Sequence, residues 1–504
     1  MFFKNKWNNF GTQHWYFEKM AINYFSMESC CQMESRGNIE NRIYFCIDLK
    51  TFFASVECVE RSLDPFKTNL VVCDPSRGKG GICLAITPVL KNLGIRNRCR
   101  IYEIPQGVEY IVAIPRMKKY MEYSAKVYSC YLKFVSSKDI HPYSIDEMFL
   151  DVTDYLKTYK MSPKKLAQKI LDEVFLQTGL TATCGIGSNL FLAKVALDIS
   201  AKHNKENIAY LTQDLFKKTL WEHTPLTDFW QIGKGTEKRL SKLGIHTLKQ
   251  VAECDKQILF KEFGVNAQFL IDHANGYEPT TIEEIKMYKP KNQSVSHSQI
   301  LFEDYTYDKT EIVVTEMVDV LSLRLIESKK ICGVVGLTIG YSKNQIEPTG
   351  ASEKLEIHTN VFSVLKEKIL KIYQKTTKKD ALIRKISIFF GELQDETDEN
   401  VNLLVSKQSL EKERKVQRVM NYIKQKFGKN SIMRGTSLKQ GATQKLRNKL
   451  IGGHNSGEED WRTWKSKNFY AVWRTSRIKA RVIFARCFYR KASRFNGRAT
   501  WWIE

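Results

Sequence analysis

The chain has 504 residues, 43% of them hydrophobic, enough for three or four compact units, and Lys plus Arg outnumber Asp plus Glu 79 to 55. A formal charge of +24 points to a polyanionic partner. Nucleic acid comes before a membrane surface, because no apolar run reaches the roughly 20 residues that span a bilayer. The twelve cysteines and nine histidines are scattered, with no C-x-x-C spacing and no zinc-ligand pattern. No signal-peptide pattern opens the chain, so reduced thiols and a cytoplasmic setting are expected, with no membrane association.

Residues 1–41 are rich in aromatic, asparagine and serine residues without a clear period and read as a disordered N-terminal extension, with Met27 or Met33 as alternative starts. At Arg42 the pattern changes. Ile43–Ile47 is a short, continuously apolar run ending in Asp48, the form of a strand buried on both faces with a carboxylate at its tip. Thr51–Glu60 reads as a helix and Leu70–Cys73 as a second strand. The loop Asp74–Gly81 is glycine-rich but lacks the phosphate-loop pattern, and reads equally as a solvated turn or a nucleotide contact. Pro142–Val152 is strand-like and carries the adjacent carboxylates Asp146 and Glu147. Then follow a helix at Pro163–Leu176, a strand at Ala182–Ile186 and a helix at Leu190–Ala201. Alternating strands and covering helices make this unit α/β or α+β.

From 204 to 285 the pattern is helical. Within it Ile232–Ile245 resembles a helix-hairpin-helix, in which Gly233 and Gly235 expose main-chain N–H groups beside a helix start while Lys234 and Lys238 add charge, a combination suited to a DNA phosphate. A purely structural helical hairpin is the alternative. Residues 286–293 form a basic linker. Residues 294–393 make a second α+β unit in the order strand, helix, two strands, helix, strand, with apolar alternation at Val335, Leu337, Ile339 and Tyr341 and at Ile386, Ile388 and Phe390. An acidic stretch leads to an amphipathic helix at Leu410–Phe427.

Side chains from two adjacent strand ends converge on one point, so Asp48, Asp146 and Glu147 together form a hard-oxygen set suited to Mg²⁺. Two such ions about 4 Å apart would serve an in-line phosphoryl displacement. Taken alone, an acidic triplet is more often a solvated surface.

The blocks Ile47-Asp-Leu-Lys-Thr-Phe-Phe-Ala-Ser-Val-Glu57, Tyr143-Ser-Ile-Asp-Glu-Met-Phe-Leu-Asp-Val152 and Cys184-Gly-Ile-Gly-Ser-Asn-Leu-Phe-Leu-Ala-Lys194 resemble, in order and spacing, the signature blocks of Y-family translesion DNA polymerases. The resemblance covers about 42–454 and is closest to the UmuC-like branch of Gram-positive bacteria. It implies an α+β multidomain right hand: palm at 42–51 and 116–203, fingers at 52–115, a thumb with the helix-hairpin-helix at 204–285, a little finger at 294–393 and a C-terminal segment at 394–454. It also implies an error-prone, template-directed DNA polymerase of DNA repair and the SOS response, acting as a monomer on primer–template DNA and deoxynucleoside triphosphates. A catalytically weak DNA-binding scaffold is the alternative, and a cyclase or nuclease would leave the hairpin and second sheet unexplained.

By the same resemblance two Mg²⁺ ions are held by Asp48, Asp146, Glu147 and the Leu49 carbonyl. Phe53 is the steric gate against a 2′-hydroxyl, a core aromatic at the helix start being the alternative, and its neighbour Phe52 reads rather as core. Lys91 and Lys202 meet the triphosphate, although Pro88 and Lys91 stand where many relatives carry tyrosine and arginine, and one extra residue precedes Lys202. Lys50 stands at the family's second aspartate, which is not usually a metal ligand. The fingers span only about 65 residues between Thr51 and Pro115, too few for a large closing helix, and no upstream segment has room for a proofreading nuclease. Val401–Val405 stands where relatives carry a sliding-clamp peptide and reads equally as a weak clamp contact or a linker. The tail 455–504 holds five of the nine tryptophans and eight arginines to four lysines. It is either a nucleic-acid-binding arm or sequence read out of frame, the second being favoured because no helix or strand period is sustained.

Overall fold

The structure is a computed structural model that describes residues 42–290, 293–342, 346–396 and 407–457. All of them belong to one compact unit, 1–457. The extension 1–41, the clamp-like segment Val401–Val405 and the tail from 458 onward lie outside the described residues. Among the described residues no helix is long and apolar enough to cross a membrane.

The first sheet has five strands. Its middle strand β1 (Tyr44–Leu49) runs antiparallel to β6 (Glu147–Asp151) on one side and β7 (Ala182–Gly187) on the other. β5 (Ile140–Pro142) and β8 (Ile208–Leu211) are the edges. Alternate β1 residues enter different cores: Phe45, Ile47 and Leu49 pack with Tyr120, Val127, Leu166, Ile170 and Val174, whereas Tyr44 and Cys46 pack with Phe149, Leu190, Ala193 and Leu197. The continuous apolar run is therefore a strand covered on both faces, and its polar residue sits at the tip.

Helix α1 (Phe52–Val59) follows β1 after a tight turn. Its Phe52, Ala54, Val56 and Cys58 share one core with the first sheet and with Leu70, Val72, Ala85 and Ala113 of the strands that follow, so the helix joins the two sheets. Those strands form a three-stranded sheet of β2 (Leu70–Val72), β3 (Ala85–Ile86) and β4 (Ile111–Ala113), with a small core of Val71, Cys73, Cys83, Ile86, Leu90, Ile95, Cys99 and Ile104. It carries helix α2 (Pro88–Asn92), and helix α3 (Met117–Tyr131) returns to the first sheet. Helix α4 (Pro163–Thr178) covers the same face, and α5 (Leu190–Val195) the other.

Two expectations shift. The strand around Asp146 begins only at Glu147, because residues 143–146 form the turn that joins β5 to β6. The all-helical region starts after 211 instead of 204, because Ile208–Leu211 pairs parallel with Cys184–Gly187 as the sheet's edge. Four residues are too few for a period to show. Beyond it, helices α6 (Lys234–Lys242) and α7 (Leu248–Glu253) share a core of Leu226, Phe229, Leu240, Ile245, Leu248 and Val251.

The second sheet, in the order β11 (Thr349–Thr359), β10 (Lys330–Tyr341), β12 (Ile383–Gly391), β9 (Val295–Tyr305), is antiparallel throughout. Helices α8 (Tyr307–Glu327) and α9 (Phe362–Thr376) pack on one face through Val313, Met317, Leu321, Leu365, Ile369 and Ile372, so the element order read from the pattern is the observed one. Helix α10 (Lys407–Phe427) follows. The whole is a multidomain α+β fold.

Candidate active site

Antiparallel pairing places Asp48, near the end of β1, opposite Glu147, the first residue of β6, and the Leu49 N–H donates to the Asp146 carbonyl at 3.0 Å. Ser144 fixes the turn and the Asp146 carboxylate. Its hydroxyl donates to Asp146 Oδ1 at 2.6 Å and accepts the N–H groups of Asp146 and Glu147 at 3.2 and 3.0 Å. All three acids therefore sit at one end of two neighbouring strands, with the Leu49 main chain beside them.

A second layer comes from the chain after β7. A Cβ built on Gly185 would lie 2.1 Å from the Ala193 carbonyl oxygen and 2.3 Å from the Leu197 nitrogen; one on Gly187 would lie 2.2 Å from the Ala193 nitrogen. Only glycine allows the following helix to lie main chain against main chain on this strand. The close seat brings Lys194 over the acids, where its Nζ lies 2.7 and 2.8 Å from the two Glu147 carboxylate oxygens and 3.0 Å from Asp198 Oδ2. Cys46 Sγ adds a hydrogen bond to Glu147 Oε1 at 3.2 Å. Lys202 Nζ lies 3.0 Å from Asp48 Oδ2 and 2.8 Å from Asp198 Oδ1.

The chain between Lys194 and Lys202 is not one regular α-helix. α5 stops at Val195, residues Ala196–Ser200 form a single π-helical turn, and Ala201–His203 close with a 3₁₀ turn. Eight residues of regular α-helix would carry Lys202 about 80° around the axis from Lys194. A wider turn absorbs an extra residue and gives back part of that rotation, which keeps Lys194, Asp198 and Lys202 on one side.

The electrostatics follow from this crowding. Burial pushes the Asp48 carboxyl up to about 7; Lys202 opposes the shift while Asp146 and Glu147 add to it. Burial alone would lower Lys194 and Lys202, but Cys46, Glu147 and Asp198 hold the first above the usual lysine range, and Asp48 and Asp198 hold the second there. Asp198 is held below the usual carboxylate range, since Lys194 and Lys202 outweigh its burial. Asp48, Glu147 and Asp198 thus share two interior ammonium groups while Asp146 has neither, which leaves an excess of hard anionic oxygen suited to a divalent cation. Among the described residues no three His, Cys, Asp or Glu side chains are yet drawn together around an ion position, and Lys194 holds both oxygens of Glu147.

The remaining sequence-predicted residues divide. Phe53 is half-buried at the start of α1, its ring stacked on Tyr120 at 4.6 Å between centroids; Tyr120 Oη in turn donates to the buried Glu57 at 2.8 Å. Arg116 grips the same Glu57 through two hydrogen bonds of 2.9 Å. Thr51, which leads into α1, has φ of 46°, an unfavourable conformation for a β-branched residue, and its hydroxyl meets the Ser55 hydroxyl at 3.0 Å. Phe52 is buried in the first core, as expected of a core neighbour of Phe53. Lys91 lies on the exposed surface of α2, held below its usual range by desolvation although Asp48 lies near enough to oppose that shift. Lys50 turns away from the acids and donates to the Asn207 side-chain oxygen. Gly233, Lys234, Gly235 and Lys238 are all exposed at the start of α6, where Lys234 and Lys238 line a groove of about 380 Å³. A Cβ on either glycine would meet nothing within 4 Å.

Lys194, Asp198, Ser144 and the glycine pair were not singled out from the sequence. The alternating glycines of Cys184-Gly-Ile-Gly187 were the available signal, since two glycines on one face of a strand mark a close main-chain approach.

This arrangement is that of a Y-family polymerase. A solved Y-family DNA polymerase chimera, Dbh-Dpo4(243-245)-Dbh, shares the fold at a TM-score of 0.54 and 21% identity over 70% of this chain and 99% of that one. The impB/mucB/samB family model matches residues 47–198, and the model of that family's C-terminal domain matches 292–403. UvrX of Bacillus subtilis (strain 168), named for UV-damage repair, is 31% identical over 415 residues, 82% of this chain and 97% of its own. DNA polymerase IV 2 of the same organism is 28% identical over 424 residues, 82% of this chain and 99% of its own. The chain belongs to the impB/mucB/samB family, the UmuC/DinB-like branch of the Y-family DNA polymerases.

Proposed function

We propose that this chain adds deoxynucleotides to a primer on damaged template DNA, by phosphoryl transfer at Asp48, Asp146 and Glu147 and without a proofreading step. The observation that carries the reading is the placement of these three acids where two neighbouring strands adjoin, with Lys194 and Lys202 bracing Glu147 and Asp48 across a glycine-lined contact. The donor set fits Mg²⁺, and two ions bound by these acids and the Leu49 carbonyl would supply Lewis-acid stabilisation of the attacking and leaving oxygens. Lys202 and Lys91 stand near Asp48 as cations for a triphosphate. Phe53, held from behind by Tyr120, presents a ring at the sugar position and excludes a 2′-hydroxyl.

The small three-stranded sheet at 70–113 supports low fidelity, since it has no large element to close on a base pair. The exposed start of α6, Gly233–Lys238, would meet a duplex phosphate: the fold does not fill the space beside either glycine, and close main-chain approach to a partner explains both. Primer extension with purified protein, Mg²⁺ and the four deoxynucleotides tests the reading. Template-directed extension that is lost in Asp146→Asn is the expected result, and normal primer–template binding with no extension by the wild type would leave only a scaffold.

A further inference from the structure

The chain after α10 crosses from the second sheet to the first half of the molecule. Glu316, buried on α8, accepts the N–H groups of Thr443 at 2.8 Å and Gln444 at 3.2 Å, which ties this segment beside the edge strand β9. Arg447 then donates to the Ile300 carbonyl of β9 at 2.5 Å. A few residues on, the Gly453 carbonyl accepts a hydrogen bond from Arg77 in the loop after β2, and the Ser456 carbonyl accepts one from the Lys118 N–H, at the start of α3, at 3.1 Å. Residues 429–457 therefore form a strap from the free edge of the second sheet to the loop and helix beside the three-stranded sheet.

The strap gathers cations faster than acids. Arg77, Lys118, Arg324, Lys429 and Arg447 come from four separate segments and follow the crossing. Three acids lie among these five cations and offset part of the charge: Glu316, which holds main-chain N–H groups, faces Arg447, Glu327, which accepts from Gln425 at 3.0 Å, faces Arg324 and Lys429, and Asp74 lies 3.6 Å from Arg77. The buried Nε of Arg447 has no hydrogen-bond partner, an unmet donor on a cation. Burial and the neighbouring Arg77 hold Arg447 down at about 10, and burial with Arg324 and Lys118 lowers Lys429. Like charges at this junction thus crowd one another where an anion would relieve them. The Arg447 guanidinium also lies 5.2 Å from the centre of the Phe302 ring, and Phe302 and Ile300 are 48% and 65% exposed on the open side of β9. Cations strung along a line beside an exposed ring suit a chain of phosphates with an unstacked base, and not a single free phosphate.

We propose that the strap and the edge of β9 form a track for one unpaired nucleic-acid strand, with Arg447 donating to a phosphate and Phe302 offering a surface for a base. The inference rests on the polymerase reading only in taking that strand to be the single-stranded extension of a primer–template.

Fluorescence anisotropy of the full chain with primer–templates carrying a long or a one-nucleotide single-stranded extension tests it, alongside a free single strand. The wild type should bind the long extension about tenfold more tightly than the short one. In Arg447→Gln this ratio should fall towards one, the log–log salt slope for the long extension should drop by about 0.7, and Arg447→Lys should fall between. Thermal melting identifies an unfolded variant, in which case Arg447→Lys and Phe302→Ala carry the test. A wild-type ratio near one, or a ratio unchanged in folded Arg447→Gln and Phe302→Ala, overturns the proposal. Arg447-dependent binding of the free strand by a protein that shows no primer extension would uphold the track and sink the polymerase reading.

Discussion

The two sheets solve burial differently, and chemistry follows the difference. The first is covered on both faces, so along β1 alternate side chains enter two cores and no position in the strand's middle tolerates charge. Its polar groups are driven to the strand ends, where Asp48, Asp146 and Glu147 crowd together. The second sheet is covered on one face only. Its β9 alternates, with Gln299 and Leu301 buried and Ser298, Ile300 and Phe302 exposed, which leaves a broad surface in place of a point. In the proposed reading, one architecture concentrates charge for a reaction and the other spreads contacts for a strand of nucleic acid.

The sharpest break comes at the point of concentration. Asp146→Asn removes an anionic oxygen while leaving the turn and its Ser144 hydrogen bonds a close isostere, so extension should fall by more than about 10³-fold with primer–template affinity nearly unchanged. Steady-state primer extension beside a binding titration checks this, and retained extension removes the site.

Next in size is a pair of glycines that look alike on paper. A Cβ at Gly185 would lie 2.1 Å from a main-chain oxygen, and one at Gly336 in the second sheet would lie 2.0 Å from the Phe389 ring. A main-chain collision between two covered layers has no cheap escape, whereas Phe389 is on the exposed face and its ring has room to swing. Gly185→Ala should cost about 3 kcal/mol and shift Lys194 off the acids, while Gly336→Ala should cost about 1 kcal/mol or less. Urea unfolding of both variants measures the contrast, and equal losses would mean that the two-sided packing is not what fixes the site.

Phe53→Ala tests the same region more gently. Truncation leaves Tyr120 and the buried Glu57 in place, so deoxynucleotide use should decline only modestly while discrimination against ribonucleotides falls by about 10- to 100-fold. Single-nucleotide insertion with matched ribo- and deoxynucleotides reads the ratio. An unchanged ratio would make Phe53 a core aromatic like Phe52.

Part of this arrangement is legible in the sequence alone. Asp48 is legible because an uninterrupted apolar run ending in a carboxylate has few other meanings, and the second sheet because its alternation is long. Lys194 and Asp198 are not, because a lysine and an aspartate four residues apart on a helix look like any solvated pair. They became interior groups only through Gly185 and Gly187, whose effect is a contact between distant main chains. Phe52 and Phe53 are adjacent and identical in chemistry, so only the turn at Thr51, in a conformation a β-branched residue seldom adopts, decides which ring faces inward. The strand Ile208–Leu211 was hidden by its length.

The smallest expected effect belongs to the second sheet. His297 lies on the helix side of β9, its Nδ1 buried without a partner, and burial together with Arg324 and Arg447 lowers its pKa to about 3. An unfolded chain would protonate this imidazole near 6.5. Between about 3 and 6.5 the unfolded state therefore binds a proton that the folded state refuses. The stability His297 allows is fully present above 6.5 and is lost as pH falls through that window, by up to about 2 kcal/mol at pH 5. Asp48, raised to about 7, acts in the opposite sense over much of the same range, so the wild-type curve alone mixes the two sheets. The difference between wild type and His297→Leu separates them. Leucine suits a face shared with Leu301 and removes the unpaired ring nitrogen, so the variant should match or slightly exceed the wild type at pH 7 and exceed it by about 2 kcal/mol more at pH 5. Parallel difference curves from urea unfolding at pH 5 and pH 7 would show that this imidazole reaches solvent and that the edge of the second sheet is more open than its packing indicates.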